Sequence, residues 1–310
     1  MQLQFFRLRF HFEAVDPALF PAGTAANTLR GALGSILRSI ACAPPCDGIH
    51  HDTECAYARI FEPRGGRNGP SGFSQRPRPF VLRAHHLDGR SFDTGECFHF
   101  DIHWFDLTAP LLPHVIQAFT RLADEGLGAG RQRTRLKQVE QLALGDEEGR
   151  DAGMSVPKLE PCSVALEPDR MPVTVARVRF VTPTELKCRE TVAARPDFPV
   201  LFARIRDRIS SLRAFYGPGP LEIDFRAMAE RASCIQMTRC ELREERAERR
   251  SSRTGQVHSL GGFTGEAEYH GDLAEFLPYL RAARWTGVGR QTVWGKGELH
   301  VRPFSDCSHA

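Results

Sequence analysis

Near its start the chain alternates. Phe6, Leu8, Phe10 and Phe12 fall on one side, and Arg7, Arg9 and His11 on the other. A period of two predicts a β-strand with one wetted face. The interleaved charges set it apart from the continuous apolar core of a secretion signal. Then the period changes. Leu29, Leu33, Ile36, Leu37 and Ile40 recur at helical spacing, Thr24 is a candidate N-cap, and Arg30 and Arg38 take the opposite face. A cysteine-bearing loop follows, and after it EPRGGRNGPSGFSQRPRP, a Gly/Pro/Arg-rich loop with little to bury. PFVLRAHHL and ECFHFDIHWFD read as two strands. A helix runs from about Pro113 with Val115, Ile116, Phe119 and Leu122 on one face, and LGAGRQRTRLKQVEQLAL reads as a glycine turn feeding a strand. This half has the order β-α-β-β-α-β and closes where Pro161 and Pro168 mark a linker.

The order then repeats. MPVTVARVRFVTPTELK predicts a strand. FPVLFARIRDRISSLRAFYG predicts an amphipathic helix, with Phe198, Leu201, Phe202, Ile205, Ile209 and Leu212 on one stripe. ASCIQMTRCELREE and VHSLGGFTGEAEYHG suggest a strand pair. DLAEFLPYLRAARW suggests a helix capped by Asp272, and QTVWGKGELHVRPF the last strand. The expected fold class is α+β, as tandem ferredoxin-like (RRM-like) domains, each βαββαβ. The expected division is an N-terminal domain over 1–165 that carries both loop insertions, a C-terminal domain over 166–304 with a glycine-rich loop, and a tail over 305–310.

Composition changes this picture little. The 310 residues suit two domains of ordinary size, and a net charge of +3 does not by itself imply nucleic acid. Arginine outnumbers lysine, which suits bidentate phosphate contacts and equally a GC-rich genome. Nine cysteines, an odd number outside any small disulfide scaffold, point to a reducing cytoplasm. No apolar run approaches a membrane span.

Four stretches carry candidate chemistry. The first is TGVGRQTVWGKGEL, where Gly287, Gly289, Gly295 and Gly297 enclose Arg290, Gln291, Thr292 and Lys296. Amides in such a loop form an anion site; the alternative is a turn that reverses the chain. It does not match the phosphate-loop pattern of nucleotide triphosphatases. In the second, Arg131, Arg133, Arg135 and Lys137 share one strand face by their period of two, without an interleaved acid. In the third, Arg249, Arg250 and Arg253 make a basic tip that either holds an RNA backbone by counterion release or is an exposed charged hairpin. In the fourth, Cys42, Cys46 and Cys55 cluster with His50 and His51. Thiolates and imidazole at this spacing suit a structural zinc whose fourth ligand is a histidine, though Cys-x3-Cys-x8-Cys is no standard knuckle, and isolated buried thiols are the plainer alternative.

LRGALGSILR, CAYARIFEP, GLGAGRQRTRLKQVE, VRFVTPTELK, GGFTGEAEYHGDL and TGVGRQTVWGKGEL together give the chain a likeness. It resembles the CRISPR precursor-RNA-processing endoribonucleases of the repeat-associated (RAMP) superfamily, over nearly its whole length. The resemblance implies binding of CRISPR repeat RNA and cleavage that needs no cofactor. The ribose 2′-OH attacks the adjacent phosphorus and leaves 2′,3′-cyclic phosphate and 5′-OH ends. It places the glycine-rich loop, Gly287 to Gly297 with Arg290 and Lys296, at the RNA. In such relatives a catalytic histidine lies in or just after the first helix. That helix has none here, so His50 and His51, with Tyr57 close by, are the first choice and His11 the second. His85, His86, His99, His103 and His114 read as structural residues. Two further readings stay open: a non-catalytic RNA-binding RAMP subunit among the proteins of a CRISPR effector complex, and a zinc-dependent enzyme.

Overall fold

The computed structural model describes residues 1–42, 46, 51–52, 54–63, 76–107, 111–128, 130–146, 150–151, 159–188, 190–246, 248–250, 257–259 and 261–304. The chain divides into two compact units. One comprises Gln4–Ser163 with Ala214–Gly219; the other comprises Met1–Leu3, Val164–Arg213 and Pro220–Ala310.

In the N-terminal unit the order is β1 (Gln2–Ala14), α1 (Ala25–Ala41), α2 (Ala56–Phe61), β2 (Phe80–Arg83), β3 (Cys97–Trp104), α3 (Leu112–Thr120) and β4 (Thr134–Leu142). The main sheet has six strands: four run β2-β3-β1-β4 with antiparallel pairs, which sets β4 beside the first strand, while Arg150–Asp151 adds to β4 and Cys162–Ala165 to β1. Leu8, Phe10 and Phe12 are buried as their period requires, and the Phe119 ring of α3 lies 5.0 Å from Phe10 and 5.2 Å from Phe100. Each phenylalanine removed from water contributes roughly 1.5–3 kcal/mol. The alternation does not start where the sequence places it. Phe6 is half-buried, whereas Phe5, its neighbour on the other face, is fully enclosed against His103 and Phe105.

Two local expectations are corrected here. Thr24 occupies the N-cap of α1 but gives its hydroxyl to the Pro21 carbonyl; the first amide of the helix, from Ala25, is taken by the Asp88 carboxylate at 2.8 Å. And the segment after the cysteines is no plain loop. It forms α2, whose Phe61 ring packs 5.5 Å from Phe80 and against the backbone of Gly34 in α1.

The C-terminal unit has β5 (Val175–Thr184), α4 (Phe198–Tyr216), α5 (Phe225–Ala232), β6 (Gln236–Glu245), β7 (Gly262–His270), α6 (Leu277–Thr286) and β8 (Leu299–Phe304). Its sheet runs β6-β7-β5-β8, again antiparallel with the last strand beside the first. The predicted stripe of α4 is buried: Phe202 meets Phe276 at 4.7 Å and Phe198 meets Tyr269 at 5.1 Å. Asp272 does not cap α6, which begins five residues later behind Phe276 with a proline in its first turn. The helix α5 is unforeseen. It is short, with Met228 and Ala232 buried; Asp224 starts it by accepting the amides of Arg226 and Ala227. The last strand is shorter than predicted, because Thr292–Trp294 form a 3-10 turn. The tail 305–310 lies outside the described residues. Among the described residues no helix is long and apolar enough to cross a membrane.

Candidate functional site

The glycine-rich loop leaves α6 at Gly287 and enters β8 at Leu299. It is threaded against the end of β5. The Gly297 amide donates to the Pro183 carbonyl at 3.1 Å, the Val288 amide to the Gly297 carbonyl at 2.9 Å, and the Arg290 amide to the Glu185 carbonyl at 3.0 Å. Gln291 and Gly295 both take left-handed backbone conformations around the 3-10 turn that begins at Thr292. Gly289 and Gly297 are needed for closeness: a Cβ on Gly289 would stand 2.3 Å from the Glu185 carbonyl oxygen. Gly287, Thr292, Gly295, Lys296 and Gly297 are buried, with Lys296 only 5% exposed. Arg290 remains open, and its guanidinium meets the Glu185 carboxylate at 2.5 Å. The sequence did not single out Glu185 or the buried Glu298. Their role is set by β5 and β8 lying side by side, which no local pattern shows.

Only part of the predicted basic stripe lies on β4: Arg135 and Lys137 alternate there with the buried Thr134 and Leu136, whereas Arg131 and Arg133 precede the strand in a turn where Arg131 has φ +46°, so the four exposed cations do not share one strand face. The acids missing from the sequence stripe arrive from β1 and the turn after it. Arg133 forks onto Asp16 with two 2.8 Å bonds, Lys137 meets Glu13 at 2.7 Å, and Arg135 stands 3.7 Å from Glu13. The Arg133 hydrogen bond holds the Asp16 carboxyl down to about 2. Arg249 and Arg250 sit in a small ribbon, Glu248–Arg250 paired with Val257–Ser259. Arg253 lies outside the described residues.

The polar face of β1 continues across β3. Asp101 accepts Arg9 through Nε at 2.7 Å and Nη2 at 3.2 Å, and Arg7 through Nη2 at 3.2 Å. Burial opposes ionisation of Asp101, but the Arg9 hydrogen bond and the surrounding cations outweigh it and keep its pKa below the usual range. His11 stands 3.0 Å from the Glu140 carboxylate of β4 and 5.7 Å, ring to ring, from His99. His86 in turn lies 5.0 Å from His99 and hydrogen-bonds its carbonyl. Burial, then the Arg9 charge, push the His99 pKa down to about 4; burial also lowers His86. The group is legible only through register, because His11 pairs with His99 and Arg9 with Asp101 across the two strands.

The cysteine cluster closes in space. The Sγ atoms of Cys42, Cys46 and Cys55 and a ring nitrogen of His51 all lie within 4.8 Å of one another. His51 turns Nδ1 to the thiols, 3.3 Å from Cys42 and 3.7 Å from Cys55. Its Nε2 faces Glu62 at 3.8 Å, and the Tyr57 hydroxyl donates to the same carboxylate at 3.1 Å. Burial and the neighbouring thiols push the Cys42 thiol up to about 11. His51 and Tyr57 are both buried, at 8% exposure. That changes what they can do: the sequence reads them as reactive groups on an open loop, whereas these two side chains are engaged inside the fold. His50 lies outside the described residues.

Comparison with known proteins adds the following. Residues 3–155 match a family model described as an N-terminal domain, and residues 178–299 match the family of the CRISPR-associated endoribonuclease Cas6. Among solved structures, a Cas6 product complex superposes with a TM-score of 0.56 at 19% identity, covering 96% of this chain and 100% of that one. Cas6 of Thermus thermophilus gives a TM-score of 0.54 at 17% identity, over 97% of this chain and 99% of that one. A partial Cas6-RT-Cas1–Cas2 complex gives a TM-score of 0.54 at 12% identity, over 99% of this chain and 47% of that one. No curated protein sequence matches the chain.

Proposed function

We propose that the chain is a Cas6-type, CRISPR RNA-processing protein, which binds a CRISPR repeat RNA and cuts it once without a metal in the reaction. The observation that carries this reading is the position of the glycine-rich loop Gly287–Gly297 inside the stretch that matches the endoribonuclease family. The two sheets, which set β4 beside β1 and β8 beside β5, support tandem ferredoxin-like βαββαβ domains as the scaffold.

The RNA backbone is held by cations. Arg131, Arg133, Arg135 and Lys137 offer one group, Arg249, Arg250 and Arg253 a second, and Arg290 a third at the rim of the glycine loop. Lys296 and the buried glycines shape that rim and set its rigidity. Each phosphate neutralised releases a counterion, so binding weakens as salt rises. The acids beside Arg133 and Lys137 must yield to phosphate for those two to take part.

Cleavage needs a base for the 2′-OH proton, an acid for the leaving 5′ oxygen, and positive charge for the phosphorane. His51 and Tyr57 are turned inward, which leaves His50 of the first-choice set, and His11. His11 has its neighbour Glu140 to orient the ring. The test is incubation of repeat RNA with the protein in EDTA. Products ending in 2′,3′-cyclic phosphate, lost in His11→Ala or His50→Ala, support the reading. Tight binding with intact RNA favours a second reading, a non-catalytic RNA-binding subunit, to which the inward turn of His51 and Tyr57 lends weight.

A further inference from the structure

We propose that Cys42, Cys46, His51 and Cys55 bind one zinc ion, which pins the end of α1 to the start of α2. This assignment does not depend on the RNA-cleavage reading.

The residues come from three places. Cys42 terminates α1, Cys46 and His51 come from the segment that follows, and Cys55 immediately precedes α2. Their short spacing brings them near one another, and the folding back of α2 against α1 closes the set. A tetrahedral zinc sits roughly 2.3 Å from thiolate sulfur and about 2.0–2.1 Å from imidazole nitrogen, so its ligand atoms stand roughly 3.5–3.8 Å apart. The two sulfur–nitrogen separations, 3.3 and 3.7 Å, and the 4.8 Å limit on the whole set leave only small movements to complete that tetrahedron.

The surroundings fit as well. A ligating histidine that uses Nδ1 must carry its proton on Nε2, and a carboxylate facing that N–H fixes the tautomer and raises ligand basicity. His51 has this arrangement: Nδ1 points at the thiols, Nε2 at Glu62, and Glu62 is itself held by Tyr57. The Asp52 amide points at Cys46 Sγ from 3.3 Å, a bond that favours a thiolate. The three-sulfur, one-nitrogen donor set is soft and closed, with no place for water. That set suits structural zinc rather than a catalytic metal or a hard cation. Binding exchanges the three thiol protons for the metal and leaves histidine neutral. It also accounts for a buried histidine among cysteines without assigning His51 to proton transfer.

The experiment measures metal, not cleavage. The full chain is purified from zinc-supplemented cells and its metals are counted, then zinc is exchanged for cobalt(II). The expected result is close to one zinc per chain, a cobalt form with the intense visible bands of tetrahedral thiolate coordination, and three thiols that resist modification until the metal is stripped. His51→Ala should lose most of the zinc, while His51→Cys, which restores a fourth soft ligand, should keep it. That pair separates ligation from misfolding. Protein that holds no zinc, holds iron with a brown chromophore, or binds zinc equally well as Cys55→Ser or His51→Ala overturns the assignment. Protein that cleaves RNA yet holds no zinc as purified would sink this proposal and spare the previous one; zinc-loaded protein that leaves RNA intact would do the reverse.

Discussion

Gly297 passes so close beneath Val288 that a Cβ on it would stand 1.9 Å from the Val288 carbonyl oxygen. The residue also has φ +71°. The loop thus closes on itself by backbone contact, and its glycines are there first for that closure. Gly297→Ala meets both a left-handed backbone and a main-chain clash, so it should destabilise the protein by more than about 1 kcal/mol. Thermal melting checks this. Repeat-RNA affinity should fall in the same variant, if the loop's shape supports the RNA rim.

Asp101 binds two arginines at once, both largely enclosed. Asp101→Ala removes the carboxylate that both Arg7 and Arg9 bind, and breaking such a buried pair costs about 3–5 kcal/mol. Urea unfolding should show a clear fall in midpoint. An unchanged midpoint would mean that water replaces the carboxylate at little cost.

Acid should weaken the N-terminal unit before most carboxylates titrate. His99 takes up its proton near pH 4 when folded but near 6.5 when unfolded. Between those values the unfolded chain binds more protons, so stability falls as pH drops through that window and is level above it. His86 shifts in the same direction. Melting curves across this range should show the slope, and His99→Gln should flatten it.

The acids beside the basic strand oppose phosphate for the same cations. Glu13→Gln and Asp16→Asn should therefore tighten repeat-RNA binding at moderate salt. Arg135→Ala should weaken it and reduce the slope of affinity against salt by about one. Filter binding at several salt concentrations reads both. No change in either direction removes this strand from the RNA interface.

Much of the framework is visible in one dimension. The alternation of β1 and the stripe of α4 are local patterns, and the structure buries Phe10, Phe12, Phe198 and Phe202 as they require. The basic period was equally plain, although only Arg135 and Lys137 of it stand on β4. Its neutralisation by Asp16 and Glu13 was not, because that depends on how β1 and β4 align. Thr24 carried the right residue type for a cap, yet Asp88, sixty-three residues on from Ala25, makes the bond.

The amino-acid order alone determined the strand and helix periods, the repeated element order and the inventory of cations and thiols, since each depends on residue type and near-neighbour spacing. Tertiary structure decided which partners those groups meet. It set Asp101 between two arginines, turned His51 from solvent to sulfur and enclosed Lys296. Electrostatics, burial and coordination act across space, and chain segments far apart in sequence supply the other half of every such contact.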